Sequence, residues 1–251
     1  MPTAAARAFA WTGALLFASA LLYFLFTYFV TFGETPERAL IRTGAMLTRD
    51  VAAIVWDIAL FTIFALHHSL FARERVRAGV KRVAGPLERS LYVWVASALF
   101  IVVCAAWMPV GGTAWRFERL AAWPLGGLQV LAAWLTLRGA AVIDVFDLAG
   151  IRQTEVACGT AGPIEFKTTG PYGWIRHPIY AGWFVIVFAV PTMTMTRLVF
   201  AITSCAYLLI AIPLEERSLR RTTGGAYEAY MRRVRWKLFP GILGWWMVVR
   251  G

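Results

Sequence analysis

Cysteine, histidine and charge are all scarce in this sequence. Its 251 residues include three cysteines and three histidines, and 16% of the chain is charged. None of Cys104, Cys158 and Cys205 stands in a C-x-x-C pair, so neither a disulfide framework nor a zinc site is expected. Cys104 and Cys205 fall inside apolar runs and read as small core filler, while Cys158 falls in a loop. The histidines, His67, His68 and His177, lack metal-ligand spacing, so no metal is expected. No G-x-G-x-x-G follows a strand pattern, which argues against a soluble dinucleotide-binding fold. There is no internal repeat and no low-complexity segment.

What the chain has in abundance is apolar sequence. It is 59% hydrophobic with a mean hydropathy of +0.63 and twelve tryptophans. A soluble domain is nearer half apolar and a quarter charged, and indoles favour the bilayer interface, so the composition says membrane. Roughly 20 apolar residues cross a bilayer as helix. Six runs stand out, at about 8–32, 51–71, 91–110, 120–146, 180–195 and 198–214. The first lacks a small-residue cleavage site and is too long for a signal-peptide core, so it reads as retained. The fifth is short for a span. Its turn into the sixth, near Thr194 to Arg197, predicts a tight helical hairpin. The fold class is therefore an all-α, polytopic membrane helical bundle of about six spans (five to six). A cytoplasmic amphipathic tail follows: helix from Glu215, a turn at 222–225, and a second helix with Tyr227 and Tyr230 on one face. The run 242–249 is too short to span and is expected at the interface.

The net charge is +11. With both termini in the cytoplasm, most of the 25 lysines and arginines lie on that side. Only Arg38, Arg42, Arg49, Arg116, Arg119 and Arg197 lie on the other. The positive-inside rule supports that topology. It also accounts for the charge as topology and attraction to anionic headgroups of membrane lipids, so nucleic acid is not expected as a partner. Arg217, Arg220 and Arg221 read as interfacial anchors.

Polar clusters gather at the cytoplasmic ends. His67, His68 and Ser69 close the second run; Asp144, Asp147, Arg152 and Gln153 follow the fourth. Arg176, His177 and Tyr180 open the fifth, and Glu215 and Glu216 close the sixth. Ionisable groups at a membrane boundary mark a functional site by default. An imidazole beside two adjacent acids exceeds what anchoring needs. Acids bind an ammonium group, and Arg176 and His177 bind a carboxylate, so a zwitterionic amino-acid moiety suits the set. S-adenosylmethionine has such a moiety, plus a sulfonium that the nearby rings of Tyr172, Trp174, Tyr180 and Trp183 can stabilise. Composition alone does not select that cofactor. The loop 150–173, rich in glycine and proline, is expected to be irregular.

R-H-P-I-Y-A-G at 176–182, L-E-E-R at 214–217 and A-Y-E-A-Y at 226–230 resemble the integral-membrane isoprenylcysteine carboxyl methyltransferase superfamily. H-S at 68–69, E-R-S-x-Y at 88–92, F-D-L-A-G-I-R-Q at 146–153 and P-T-M-T at 191–194 are similar to its bacterial methanethiol S-methyltransferase branch. The chain departs from that branch at Pro213 and in V-R-W-K-L-F-P at 234–240. The resemblance implies a single membrane-embedded methyltransferase domain, with a four-span part (1–145) and a cofactor-binding loop, hairpin and tail (146–251). It implies a pocket for S-adenosylmethionine using His177, Tyr180, Gly182, Glu215 and Glu216, flanked by Arg176 and Tyr172. It also implies a small thiol acceptor, in the bacterial inner membrane.

A thiol attacks as thiolate, so a base or a positive field is needed. Asp144, Asp147 and His68 are candidates for the base and Arg152 for the field; a helix cap or buried ion pair serves the aspartates equally well. An isoprenylcysteine carboxylate or other lipid-like acceptor is the alternative within the class. A non-catalytic membrane protein or permease is the alternative outside it. Oligomeric state is not readable from the sequence.

Overall fold

Long apolar stretches in lipid must satisfy their backbone groups internally, and helix is the local way to do so. The structure is a computed structural model, which describes residues 4–34, 44–71, 73–157, 159 and 167–241. Its helices are α1 (Ala4–Phe29), α2 (Gly44–Phe71), α3 (Glu74–Ala84), α4 (Glu88–Ala106), α5 (Ala122–Ile143), α6 (Val145–Leu148), α7 (Arg152–Ala157), α8 (Pro178–Phe188), α9 (Met195–Thr222) and α10 (Ala226–Arg233). Two short strands, β1 (Thr113–Arg116) and β2 (Thr192–Thr194), pair antiparallel, with Thr113 opposite Thr194. Cys158 and the run 242–249 lie outside the described residues.

Among the described residues, five stretches are long and apolar enough to cross a membrane: Ala4–Gly33, Leu47–Phe71, Val76–Ala106, Ala122–Ile143 and Met195–Thr222. The chain is an integral membrane protein of all-α class. The fifth expected run is where sequence and structure part. Helix α8 has 11 residues, about 16 Å of rise against a bilayer core of about 30 Å. It stops at Phe188 because Pro191 lacks an N–H and steers Val190 away from helix. The rest of the run becomes β2, and the Pro191 carbonyl accepts from the Phe117 N–H at 2.9 Å. The expected tight turn at 194–197 falls instead on the last residue of β2 and the first residues of α9. Pro213, by contrast, does not interrupt α9, which carries the expected sixth run and the first part of the tail in one helix. Within the expected irregular loop, 152–157 is helical as α7.

Two compact units interleave along the sequence. The first comprises Met1–Phe117, Phe146–Pro163 and Pro191–Ser204. Phe24, Tyr28, Phe32, Phe61, Trp107 and Phe200 form its buried aromatic centre. Arg197, buried, closes the end of α1: it donates to the carbonyls of Tyr28 at 2.9 Å and Phe29 at 2.6 Å, and to that of Thr192 at 2.6 Å. A cation on the last helical carbonyls also complements the helix dipole. Gly13 lets Trp94 lie against α1, where the indole N–H donates to the Phe9 carbonyl at 3.0 Å. Ser90 donates to the Gly150 carbonyl at 2.6 Å, and a Cβ at Gly150 would fall 2.9 Å from the Ser90 Cα. That contact joins two of the sequence motifs.

The second unit comprises Glu118–Val145, Ile164–Val190 and Cys205–Gly251. Here α5 and α8 pack closely over small residues, as membrane helices do. Gly182 faces Thr136 and the Ala132 carbonyl, and Gly139 faces Ile179. Ile175, Ala181, Ile212 and Leu238 form one buried cluster; Tyr172, Tyr227, Tyr230 and Val234 form another. Tyr227 and Tyr230 share the buried face of α10, as their spacing predicts.

Candidate active site

The second unit holds a dense polar cluster built from three pieces of chain. The first is a loop: Gly170–Gly173 makes a 3-10 turn, and the chain then extends to His177, which precedes α8. The second is the part of α9 that carries Glu215 and Glu216. The third is the tail after α10. It pairs with the loop through backbone hydrogen bonds, Arg176 N–H to the Trp236 carbonyl and His177 N–H to the Lys237 carbonyl, both 2.9 Å.

Glu216 is the centre. Its Oε1 accepts from Arg176 Nε at 2.7 Å, His177 Nε2 at 3.2 Å and the Tyr227 hydroxyl at 3.4 Å. Its Oε2 lies 3.2 Å from Lys237 Nζ. A carboxylate only accepts, so Nε2 of His177 carries a proton. Arg176 is largely committed to structure: besides Glu216, it donates to the carbonyls of Val234 at 2.8 Å and Arg235 at 2.9 Å. Arg176, His177, Tyr227 and Glu216 are buried, with Glu216 only 7% exposed at its side chain. Burying a carboxylate is costly unless it is paired and hydrogen-bonded, and this one is both.

Glu215 is different. Its side chain is 45% exposed. Its Oε2 accepts from the Tyr180 hydroxyl at 2.9 Å and lies 3.8 Å from His177 Nδ1. The rings of His177 and Tyr180 stack at 5.4 Å, 11° from parallel. The cluster therefore presents an accessible acid beside a flat ring pair, over a buried cationic and acidic base.

The surrounding phenols stay neutral. Burial is the main cause that pushes the Tyr172 and Tyr227 hydroxyls above the ordinary phenol range, and the Tyr230 hydroxyl to about 12. None of the three serves as a base near neutrality. Tyr230 instead donates to the Tyr172 carbonyl at 2.8 Å, holding the loop turn to α10.

Of the expected site residues, Tyr172, Arg176, His177, Tyr180, Glu215 and Glu216 stand in this cluster or on its rim. Gly182 belongs to the same helix as Tyr180 and faces α5. Asp144, in the second unit, ends α5 with a φ of 95°, a conformation that side chains rarely adopt. His68, Asp147 and Arg152 lie in the first unit. The Tyr92 hydroxyl lies 2.6 Å from His68 Nδ1, Asp147 accepts from Gln153 Nε2, and Arg152 begins α7. Two residues join the cluster that were not among the expected site residues, Tyr227 and Lys237. Tyr227 was legible in its helical pairing with Tyr230; Lys237 had only the departure at 234–240 to signal it.

A family model of the isoprenylcysteine carboxyl methyltransferase family matches residues 144–221, which include both ends of this cluster on the loop and α9. The chain is 38% identical over 188 residues to a methanethiol S-methyltransferase of Crocosphaera subtropica, covering 73% of this chain and 74% of that protein. It is 32% identical over 227 residues to the methanethiol S-methyltransferase of Mycobacterium tuberculosis, covering 86% and 91%. It is also 32% identical over 189 residues to human nurim, covering 70% and 72%. No solved structure matches it. Helical spans and these relatives together define an integral membrane methyltransferase. The chain belongs to the isoprenylcysteine carboxyl methyltransferase family, near the branch of the bacterial methanethiol S-methyltransferases.

Proposed function

We propose that this methyltransferase uses S-adenosylmethionine to methylate a small thiol, methanethiol, giving dimethyl sulfide. The observation that carries the reading is the Glu215–Tyr180–His177 group over the buried Glu216, in a chain so similar to named methanethiol S-methyltransferases. The residues present fit the cofactor. Glu215, exposed and singly charged, suits its ammonium group, and His177 and Lys237 suit its carboxylate. The Tyr180 and His177 rings suit a sulfonium, and Tyr172 and Arg176 hold the loop that presents them. Gly182 sets how closely α8 lies to α5, and so where Tyr180 stands.

Bound there, S-adenosylmethionine supplies a methyl group activated by its positive sulfur. The chain's own part is orientation, exclusion of water and handling of the thiol proton. Asp144 and Asp147 offer carboxylate oxygens for that proton, His68 a ring nitrogen, and Arg152 a positive field that favours thiolate. Asp144 has the strongest structural support, because strained backbone at φ 95° persists where the surroundings hold it, and such sites are often functional. The charge asymmetry of the loops supports both termini in the cytoplasm, and the bacterial relatives support a bacterial inner membrane location.

Methyl transfer from labelled S-adenosylmethionine in detergent tests the reading, with methanethiol and a prenylcysteine analogue as parallel acceptors. Labelled dimethyl sulfide is the expected product. Labelled ester in its place would move the chain to the carboxyl-methylating side of the family.

A further inference from the structure

Helix α2 carries two adjacent histidines in very different surroundings. His68 meets the Tyr92 hydroxyl 2.6 Å from its Nδ1. Neither ring nitrogen of His67 has a hydrogen-bond partner among the described residues, and both are shielded from solvent. The His67 ring lies 4.5 Å from that of Phe71, and 5.9 Å from that of Tyr92 at 10° from parallel. The Phe71 and Tyr92 rings are 6.1 Å apart. The guanidinium of Arg89 lies 4.8 Å from the Tyr92 ring centre, which helps fix that wall.

Buried imidazole nitrogens are nearly always bonded to something. Aromatic carbon offers neither donor nor acceptor, and a lone imidazole is a poor site for water, which takes about two to four polar partners. A ligand that suits this place has one polar hydrogen and an otherwise soft, apolar body. A small thiol is such a molecule. Its S–H is a weak donor that a ring nitrogen accepts, and its sulfur is stabilised against aromatic rings. His67 as a whole is only half-buried, so its side chain lies near the surface although both ring nitrogens are covered.

We propose that His67, Phe71 and Tyr92 form a binding site for the acceptor thiol, with His67 as its hydrogen-bond partner. This rests on the thiol reading above. The site lies within the first unit. No proton transfer is assigned to His67; its role is to hold the thiol.

The chain's three histidines make the test direct. Imidazole-labelled full-length protein in detergent gives three ring signals, and His67→Gln assigns one of them. Methanethiol is expected to shift the His67 signal saturably and to leave that of His177 in place. In turnover, His67→Phe raises the KM for methanethiol about fivefold, the worth of one neutral hydrogen bond. That variant affects KM more than kcat, and His67→Gln, which keeps a hydrogen-bonding side chain, recovers most of the loss. An unmoved His67 signal while wild type makes dimethyl sulfide overturns the site and leaves the thiol reading intact. A saturable shift with no dimethyl sulfide made supports the site and overturns the reading. An unchanged KM in His67→Phe marks the ring as core packing and sinks the proposal.

Discussion

Arg176 donates its Nε–H to Glu216 Oε1 at 2.7 Å, with both side chains almost fully buried. The bond links the loop before α8 to the helix that carries the second acid. Arg176 also grips two carbonyls of the tail, so three pieces of chain meet at one guanidinium.

Glu216→Ala leaves Arg176 and Lys237 buried without their shared anion. Breaking a buried pair in this way costs about 3–5 kcal/mol. The expected outcome is a lower unfolding temperature in detergent and faster proteolysis in the tail after α10. A variant as stable as wild type would show that the cluster tolerates loss of its centre.

Glu215→Gln is expected to behave oppositely. The side chain is largely exposed and its neighbour Tyr180 still finds an amide oxygen, so stability is unchanged. Affinity for S-adenosylmethionine falls about 10- to 100-fold, the worth of a charge-assisted hydrogen bond. Titration calorimetry checks it, and equal affinity in the two proteins would remove Glu215 from the cofactor site.

Gly182→Ala places a Cβ 2.1 Å from Thr136 Oγ1 and 2.9 Å from the Ala132 carbonyl. Overpacking of this kind costs about 1–3 kcal/mol. Adding Thr136→Ala removes the closer obstacle and is expected to restore part of the loss in thermal unfolding.

Asp144→Gly separates strain from chemistry. Glycine accepts a φ of 95° without penalty, so the variant is expected to be more stable by about 1 kcal/mol. If Asp144 takes the thiol proton, kcat drops about 10²–10⁴-fold at the same time. A variant that is both stable and fully active would leave Asp144 as a backbone feature alone.

The long spans were legible because hydropathy over twenty residues outweighs local detail, and the cluster was legible because its motifs sit where apolar runs end. The run 180–195 was harder. Helix and strand are equally apolar there, and Pro191 was the one local cue that the helix ends early. Neighbours on a helix were harder still. Glu215 and Glu216 are adjacent in sequence but about 100° apart around α9, so one is exposed and the other buried. Nothing in the string L-E-E-R says which. His67 and His68 are adjacent too: the pattern favoured His68, whose Nδ1 lies 2.6 Å from the Tyr92 hydroxyl, while the ring nitrogens of His67 have no partner among the described residues. Lys237 reaches Glu216 from a distant part of the chain, a contact that only tertiary folding creates.

The pairing of Arg176 and His177 with the carbonyls of Trp236 and Lys237 sets an order on biosynthesis. While the ribosome is still making the segment after α9, the loop lacks its backbone partners in the tail and Glu216 lacks one of its cations. A nascent chain already threaded into the membrane therefore still lacks the complete candidate site, which closes only when Lys237 has emerged. Membrane insertion comes first and chemical competence last.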